Sequence, residues 1–229
     1  HQKKNLNKIN VLSSSMVYES TSTFPTPEGE QLKCPPPLST YGFQKLAIEY
    51  FAKGAWEQHK LPYTIMRPFN CIGIGEKRAL GDVDVRSGNV RLAMSHVVPD
   101  LVQKILKGQD PLHILGNGSQ VRHYTYGGDL ASGIRICIED EKTINQDFNI
   151  STSVSTTVLE LAELIWKKIN PNKPFNYVID TPYLYDVQKR VPDVGKMKNL
   201  LGFEATTSLD KALDEIIPWI DEQIKLGTI

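Results

Sequence analysis

Cysteine is scarce in this 229-residue chain, and long apolar runs and a surplus of either charge are missing. The three cysteines, Cys34, Cys71 and Cys137, are odd in number, far apart and in no CxxC or Cys/His pattern. That spacing argues against a disulfide framework or a metal site and reads as free thiols of a reducing compartment. No apolar run approaches the ~20 residues that span a bilayer. The opening His1-Gln2-Lys3-Lys4-Asn5 lacks the charged-then-apolar layout of a signal peptide. The expectation is a cytoplasmic protein with no membrane partner. Lys and Arg total 26, as do Asp and Glu, so no global field attracts nucleic acid. A polyanionic ligand must be held by a few local cations.

What is present alternates between strand and helix patterns. Ile9-Asn10-Val11-Leu12 is a short apolar run ending in Ser13-Ser14-Ser15, which suits a buried strand with small polar residues at its carboxyl end. A Pro-, Glu- and Thr-rich loop covers 21–37. Ser39 is a plausible N-cap for a helix over 41–59, with Ile48, Phe51, Ala52, Ala55 and Trp56 spaced to bury one side. Tyr63-Thr64-Ile65-Met66 follows as a second buried strand, and a right-handed crossover makes the two strands parallel. From Glu76 to Ser95 the chain turns polar and Gly-interrupted, like an insertion beside a site. Helical spacing returns over 97–107, a short strand at Leu112-His113-Ile114-Leu115 precedes the turn Gly116-Asn117-Gly118, and 147–150 is strand-like. Thr157-Val158-Leu159-Glu160 is a capping-box pattern opening a helix to Ile169. Leu209, Leu213, Ile216, Ile220 and Ile224 mark a last helix, which Pro218 is expected to kink.

The residues that carry chemistry begin with Tyr41-Gly42-Phe43-Gln44-Lys45. On a helix, i and i+4 share a face, so the phenol and the ammonium project side by side. A tyrosine titrates near ~10 in water, and a cation held next to it favours the phenolate, a usable base. Upstream, the serine cluster at the end of the first strand offers a hydroxyl donor to the same substrate oxygen.

The Ser, Tyr, Lys set, in this order with a Pro-rich loop between, resembles the short-chain dehydrogenase/reductases. Ser14-Ser15-Met16-Val17-Tyr18 resembles the extended branch, the NAD-dependent nucleotide-sugar epimerases and dehydratases, in which the catalytic hydroxyl lies four residues before a tyrosine. By that match Ser14, Tyr41 and Lys45 are catalytic, and Ser13, Tyr41, Lys45 and Phe69 contact NAD. Arg67-Pro68-Phe69-Asn70 is similar to the segment whose aromatic residue lines the nicotinamide and whose Asn70 holds the sugar diphosphate. The run from Gly116 to Tyr126 is similar to the family's GxGxQxRDFxY element, with Arg122 on the diphosphate and His123 where the family carries Asp. Arg190-Val191-Pro192-Asp193 resembles a late RxxD element, its Arg on phosphate and its Asp on ribose. Two arginine forks match a diphosphate and would supply the local cations a neutral chain needs. The resemblance further suggests Leu112 and Ile114 for the nucleotide base, with His96 and Val97 as weaker candidates.

The implied fold is α/β, a partial Rossmann-type doubly wound parallel sheet with a smaller mixed α/β substrate-binding lobe. Residues 1–75 would belong to the dinucleotide-binding domain and 76–229 mainly to the substrate lobe, with segments near 123–170 returning to the first. Family members open with a glycine-rich turn that cradles the cofactor pyrophosphate, and no such turn is present in this sequence. The chain alone is therefore expected to bind NAD weakly and to self-associate as a homodimer or higher homo-oligomer. Dimers in the family often pair helices that include the Tyr41 one. The implied chemistry is epimerisation of a nucleotide-diphosphate sugar through a transient 4-keto form, with 4-keto reduction, dehydration or a non-catalytic ligand-binding role as alternatives. Dehydratases of the family carry an Asp-Glu pair after the catalytic hydroxyl, the xylose-forming decarboxylases a Glu, and the 3,5-epimerising branch a Cys. Ser15-Met16 is none of these.

Overall fold

Ser39 accepts a hydrogen bond from the Gly42 amide at 3.1 Å and so opens a twenty-residue helix, the longest element among the described residues. The computed structural model describes residues 6–76, 86–87, 90–91, 96–181 and 187–228. In chain order its longer elements are strand β1 (Ile9–Leu12), helix α1 (Thr40–His59), strand β2 (Tyr63–Pro68), helix α2 (Val97–Leu106), strand β3 (Leu112–Leu115), helix α3 (Gly127–Glu139), strand β4 (Gln146–Ile150), helix α4 (Val158–Ile169), strand β5 (Tyr177–Asp180), and helices α5 (Gly195–Leu201) and α6 (Leu209–Lys225). The opening pentapeptide, Ser95 and most of the polar stretch before it lie outside the described residues.

Two compact units divide the chain. The first comprises His1–Cys71, His123–Ser155 and Arg190–Thr206; the second comprises Ile72–Arg122, Thr156–Lys189 and Thr207–Ile229.

In the first unit β1, β2 and β4 form a parallel sheet in the order β1-β2-β4, with Val11 opposite Ile65 and Met66 opposite Phe148. β2 runs through the middle and is buried over Thr64–Arg67. β1 corrects the expectation of a buried strand. Only Val11 is buried, against Ala52 and Ile65, while Leu12 is 49% exposed. Among the described residues β1 pairs with β2 alone.

Helix α1 also turns a different side inward from the one its spacing suggested. Gly42, Leu46, Glu49 and Ala52 are buried, whereas Phe51 is 78% and Ile48 42% exposed. Apolar residues lie all round this helix, so periodicity alone could not choose the inward face. Gly42 settles it, because a Cβ there would sit 2.8 Å from the Met16 carbonyl oxygen and 2.7 Å from Pro37 Cβ. The first turn of α1 thus rests directly on the backbone after Ser14.

Helix α3 was not anticipated, because Gly127 and Gly128 are poor helix formers. Packing overrides propensity: Leu130, Ile134 and Cys137 join Met66, Phe148, Ile150 and Met197 in one apolar cluster. A Cβ on Gly133 would meet Ile150 Cγ2 at 2.8 Å, so the helix closes onto the sheet there. Burial pushes the Cys137 thiol up to about 12, which keeps it protonated and apolar in character.

In the second unit β3 and β5 pair in parallel, and α2, α4 and α6 bury Leu101, Val102, Leu161, Ile165, Leu213, Ile216 and Ile220. Thr157 and Glu160 form a full capping box at the start of α4. Helix α6 continues through Pro218 as one element. Lys104 is fully buried, its charge met by Asp100 at 2.7 Å and by the His113 carbonyl at 3.0 Å. Among the described residues no helix is long and apolar enough to cross a membrane, and the three cysteines are free.

Candidate active site

The carboxyl end of β1 delivers Ser13, Ser14 and Ser15, all buried. Ser14 caps a short 3-10 turn over Ser15–Tyr18, its hydroxyl oxygen accepting from the Met16 amide at 3.2 Å. Tyr41 stands in the first turn of α1 and is 53% exposed. Lys45, one turn on, places its ammonium 5.7 Å from the Tyr41 ring centroid and donates to the Leu12 carbonyl at 2.9 Å. Phenol and ammonium therefore share one face of α1, and that face is fastened to the segment that carries Ser14. The chemistry available is a hydroxyl, a phenol and a fixed cation.

Behind these groups lies an ion network that sequence reading missed. Arg67, with a wholly buried side chain, donates from Nε and Nη2 to the two Glu49 carboxylate oxygens, both at 2.7 Å. Its Nη1 donates to the Tyr18 hydroxyl and to Asp147, both at 2.8 Å. Tyr18 in turn donates to Asn149 at 3.0 Å, and Lys196 reaches Asp147 at 3.1 Å. Ser13 donates its hydroxyl proton to Glu49 Oε1 at 2.6 Å, so its side chain faces this network. Burial alone would lower the Arg67 pKa, but the bonds to Glu49, with Tyr18 and Asp147 nearby, hold it above the ordinary value. Asp147 moves the other way: burial pushes its carboxyl up, and the Arg67 and Lys196 charges pull it below the usual carboxylate range. Burial raises the Tyr18 phenol far above its ordinary range, so it remains a neutral donor.

Phe69 is buried in a cluster with Val17, Tyr18 and Leu46, and its ring stacks on Tyr18 at 6.2 Å between centroids. Asn70 adopts a left-handed backbone conformation, φ 36°. Its side-chain amide donates to the His123 carbonyl at 3.4 Å, and its oxygen accepts from Arg190 at 3.5 Å. Three segments far apart in sequence thus meet at Asn70. Asp193 accepts the Gly195 amide at 2.8 Å at the start of α5, and its backbone is bonded to Thr26 and Asn149.

His123 is 3% exposed. Its Nδ1 donates to the Thr152 carbonyl at 2.9 Å, which leaves Nε2 buried with no partner among the described residues. Burial lowers the pKa of this imidazole, opposed in part by the Thr152 bond. The folded state keeps the ring neutral where the unfolded chain, near ~6.5, takes up a proton. Stability from His123 is therefore complete above ~6.5 and declines as pH falls below that value. Urea unfolding at about pH 7.5 and about pH 5.5 is expected to show a larger loss in the wild type than in His123→Asn, which keeps a donor for Thr152 but cannot titrate. Equal losses would remove His123 as the source.

The remaining candidates lie in the second unit. His96 is exposed, 2.6 Å from Glu76 through Nδ1, and Val97 is the half-buried first residue of α2. Leu112 and Ile114 point into the core at 0% and 1% exposure, with their strand laddered to β5. Arg122 donates to the carbonyls of Val121 and Gln188 at 3.0 and 3.4 Å.

A parallel α/β sheet with serines at the end of β1 and a tyrosine and a lysine on the helix that follows defines a class, the Rossmann-like α/β folds. Comparison with known proteins narrows it. Residues 1–151 match the NAD dependent epimerase/dehydratase family. UDP-glucose 4-epimerase of Thermotoga maritima, solved with UDP-glucose, superposes with a TM-score of 0.79 at 27% identity, covering 96% of this chain and 65% of that one. UDP-glucuronic acid decarboxylase 5 of Arabidopsis thaliana is 27% identical over 221 residues, 96% of this chain and 58% of the relative. UDP-glucuronic acid decarboxylase 2 of the same plant is 34% identical over 117 residues, 51% of this chain and 25% of the relative. The chain thus spans at most about two thirds of the length of these relatives. It belongs to the NAD dependent epimerase/dehydratase family.

Proposed function

We propose that the protein acts as a NAD-dependent 4-epimerase of a nucleotide-diphosphate sugar, with Ser14, Tyr41 and Lys45 as its catalytic set. The observation that carries this reading is the placement of the Lys45 ammonium beside the Tyr41 ring and on the Leu12 carbonyl, two residues before Ser14. The residues fit the nicotinamide end of the cofactor, since Tyr41 is half exposed and Lys45 is fixed next to it, able to take a ribose hydroxyl. NAD, when bound, supplies the hydride acceptor. Tyr41 takes the proton from the C4 hydroxyl of the sugar, and Ser14 donates a hydrogen bond to that oxygen. The sugar turns over as a 4-keto form, and Tyr41 returns the proton to the oxygen of the other epimer. Asn70 and Arg190 are proposed as ligands of the nucleotide diphosphate, Arg122 as a further phosphate ligand, Asp193 as a ligand of the ribose, and His96, Val97 and the backbone of Leu112 and Ile114 as neighbours of the base.

Decarboxylation is the weaker reading, although decarboxylases are among the relatives. It calls for an additional acid or base near the serine. Ser15 and Met16 provide none, and the carboxylate of Glu19 is taken up by the Ser39 amide and hydroxyl at 3.0 and 2.8 Å. The complete gene product, given NAD and UDP-glucose, UDP-N-acetylglucosamine or UDP-glucuronate, is expected to interconvert C4 epimers of at least one and to release no carbon dioxide. Carbon dioxide without epimers would overturn the assignment.

The homo-oligomer is proposed to form through α1, whose Phe43, Leu46, Ala47, Tyr50 and Phe51 line an apolar hollow. Phe51→Lys is expected to shift sedimentation from dimer toward monomer. An unchanged sedimentation coefficient would exclude this face.

A further inference from the structure

Consecutive residues at the end of β1 are gripped by consecutive turns of α1. Lys45 binds the Leu12 carbonyl at 2.9 Å, and Glu49 accepts the Ser13 hydroxyl at 2.6 Å. The two grips differ in kind. The Lys45 ammonium is partly exposed, and in the catalytic reading it is shared with the cofactor ribose. The Glu49 grip is 1% exposed and is itself held by both prongs of Arg67, which Asp147 and Tyr18 hold in turn. A bidentate guanidinium fixes the plane and direction of a carboxylate, so Oε1 of Glu49 points at Ser13 whether or not the site is filled.

We infer that Glu49, oriented by Arg67, is a positioning residue that sets the Tyr41 and Lys45 face of α1 against Ser14 by holding the hydroxyl of Ser13. This rests on the catalytic reading of Ser14, Tyr41 and Lys45. Stability alone gives a poor reason for the arrangement. Burying a full ion pair contributes little net stability beyond what apolar side chains of the same size would give. What the pair supplies is direction, and a catalytic hydroxyl displaced by ~1 Å from its working geometry costs up to ~100-fold in rate. The inference also assigns Ser13 a role different from cofactor contact, because its proton is committed to Glu49.

The test separates geometry from stability. In the complete gene product, Glu49→Met combined with Arg67→Met removes both charges at once and leaves Asp147 paired with Lys196. The double variant is expected to melt within a few degrees of the wild type, while kcat for the UDP-sugar falls by about tenfold or more and both KM values stay within about twofold. Ser13→Ala, which leaves the ion pair intact and so folds even where the double variant does not, is expected to show the same kcat loss. Ser13→Thr, which keeps the hydroxyl, is expected to restore most of it. Unchanged kcat in Ser13→Ala overturns the inference, as does a rise in KM for NAD at constant kcat, which would make Ser13 a cofactor contact. A wild type that epimerises no nucleotide sugar, or a Tyr41→Phe variant of full activity, defeats the catalytic reading itself, and the inference falls with it.

Discussion

Tyr41→Phe is expected to lower turnover by on the order of a hundredfold or more while leaving the fold intact. The hydroxyl it removes belongs to a half-exposed side chain on the surface of α1, so its loss opens no cavity. The KM for the UDP-sugar should change little, because the lost interaction is with the proton in flight rather than with the diphosphate. Circular dichroism and a melting curve matching the wild type would show that chemistry, not folding, is affected. Full turnover in this variant would remove Tyr41 from the mechanism.

Arg67→Met is expected to cost about 3–5 kcal/mol of folding stability, the characteristic loss when one member of a buried ion pair is removed and the other remains. Glu49 would keep the Ser13 bond but lose both guanidinium contacts, and Asp147 would retain only Lys196. The loss should show in equilibrium urea unfolding as a lower midpoint with an unchanged slope. Adding Glu49→Met should recover most of it, since no unpaired carboxylate is then left at that position. A single variant as stable as the wild type would mean that the network is solvated in a way its geometry does not suggest. Acid acts on the same network through Asp147. Its carboxyl is held below its ordinary range, so the stability it contributes is present above ~3.9 and is lost as pH falls through the lower, folded value.

The parallel α/β class could be read from the chain because strand and helix patterns alternate, and because Ser39, Thr157 and Glu160 mark helix starts through their own side chains. Interior facing was less legible. In α1 the apolar residues surround the axis, and the deciding contact is a glycine against the Met16 carbonyl, which no periodicity records. Helix α3 was hidden by Gly127 and Gly128, whose propensity is overruled by packing on Phe148 and Ile150. At the site, YxxxK and the serine cluster are local signals with a chemical rationale. The Arg67–Glu49 pair and its reach to Asp147 span helix and two strands, so only tertiary structure brings them together. Arg67 did stand in a segment singled out for its neighbours Phe69 and Asn70. The signal that could have found it is an arginine in the middle of a run buried on both faces, which requires a carboxylate partner.

The fate of the hydrogen on C4 tests the central claim most directly. The complete gene product is incubated with NAD and a UDP-sugar deuterated at C4, and both epimers are recovered and weighed by mass spectrometry. Proton transfer at oxygen through Tyr41, with hydride leaving and returning at carbon, predicts that both epimers keep the label at C4. Epimers whose deuterium has exchanged with water, or no epimer at all, would contradict the account.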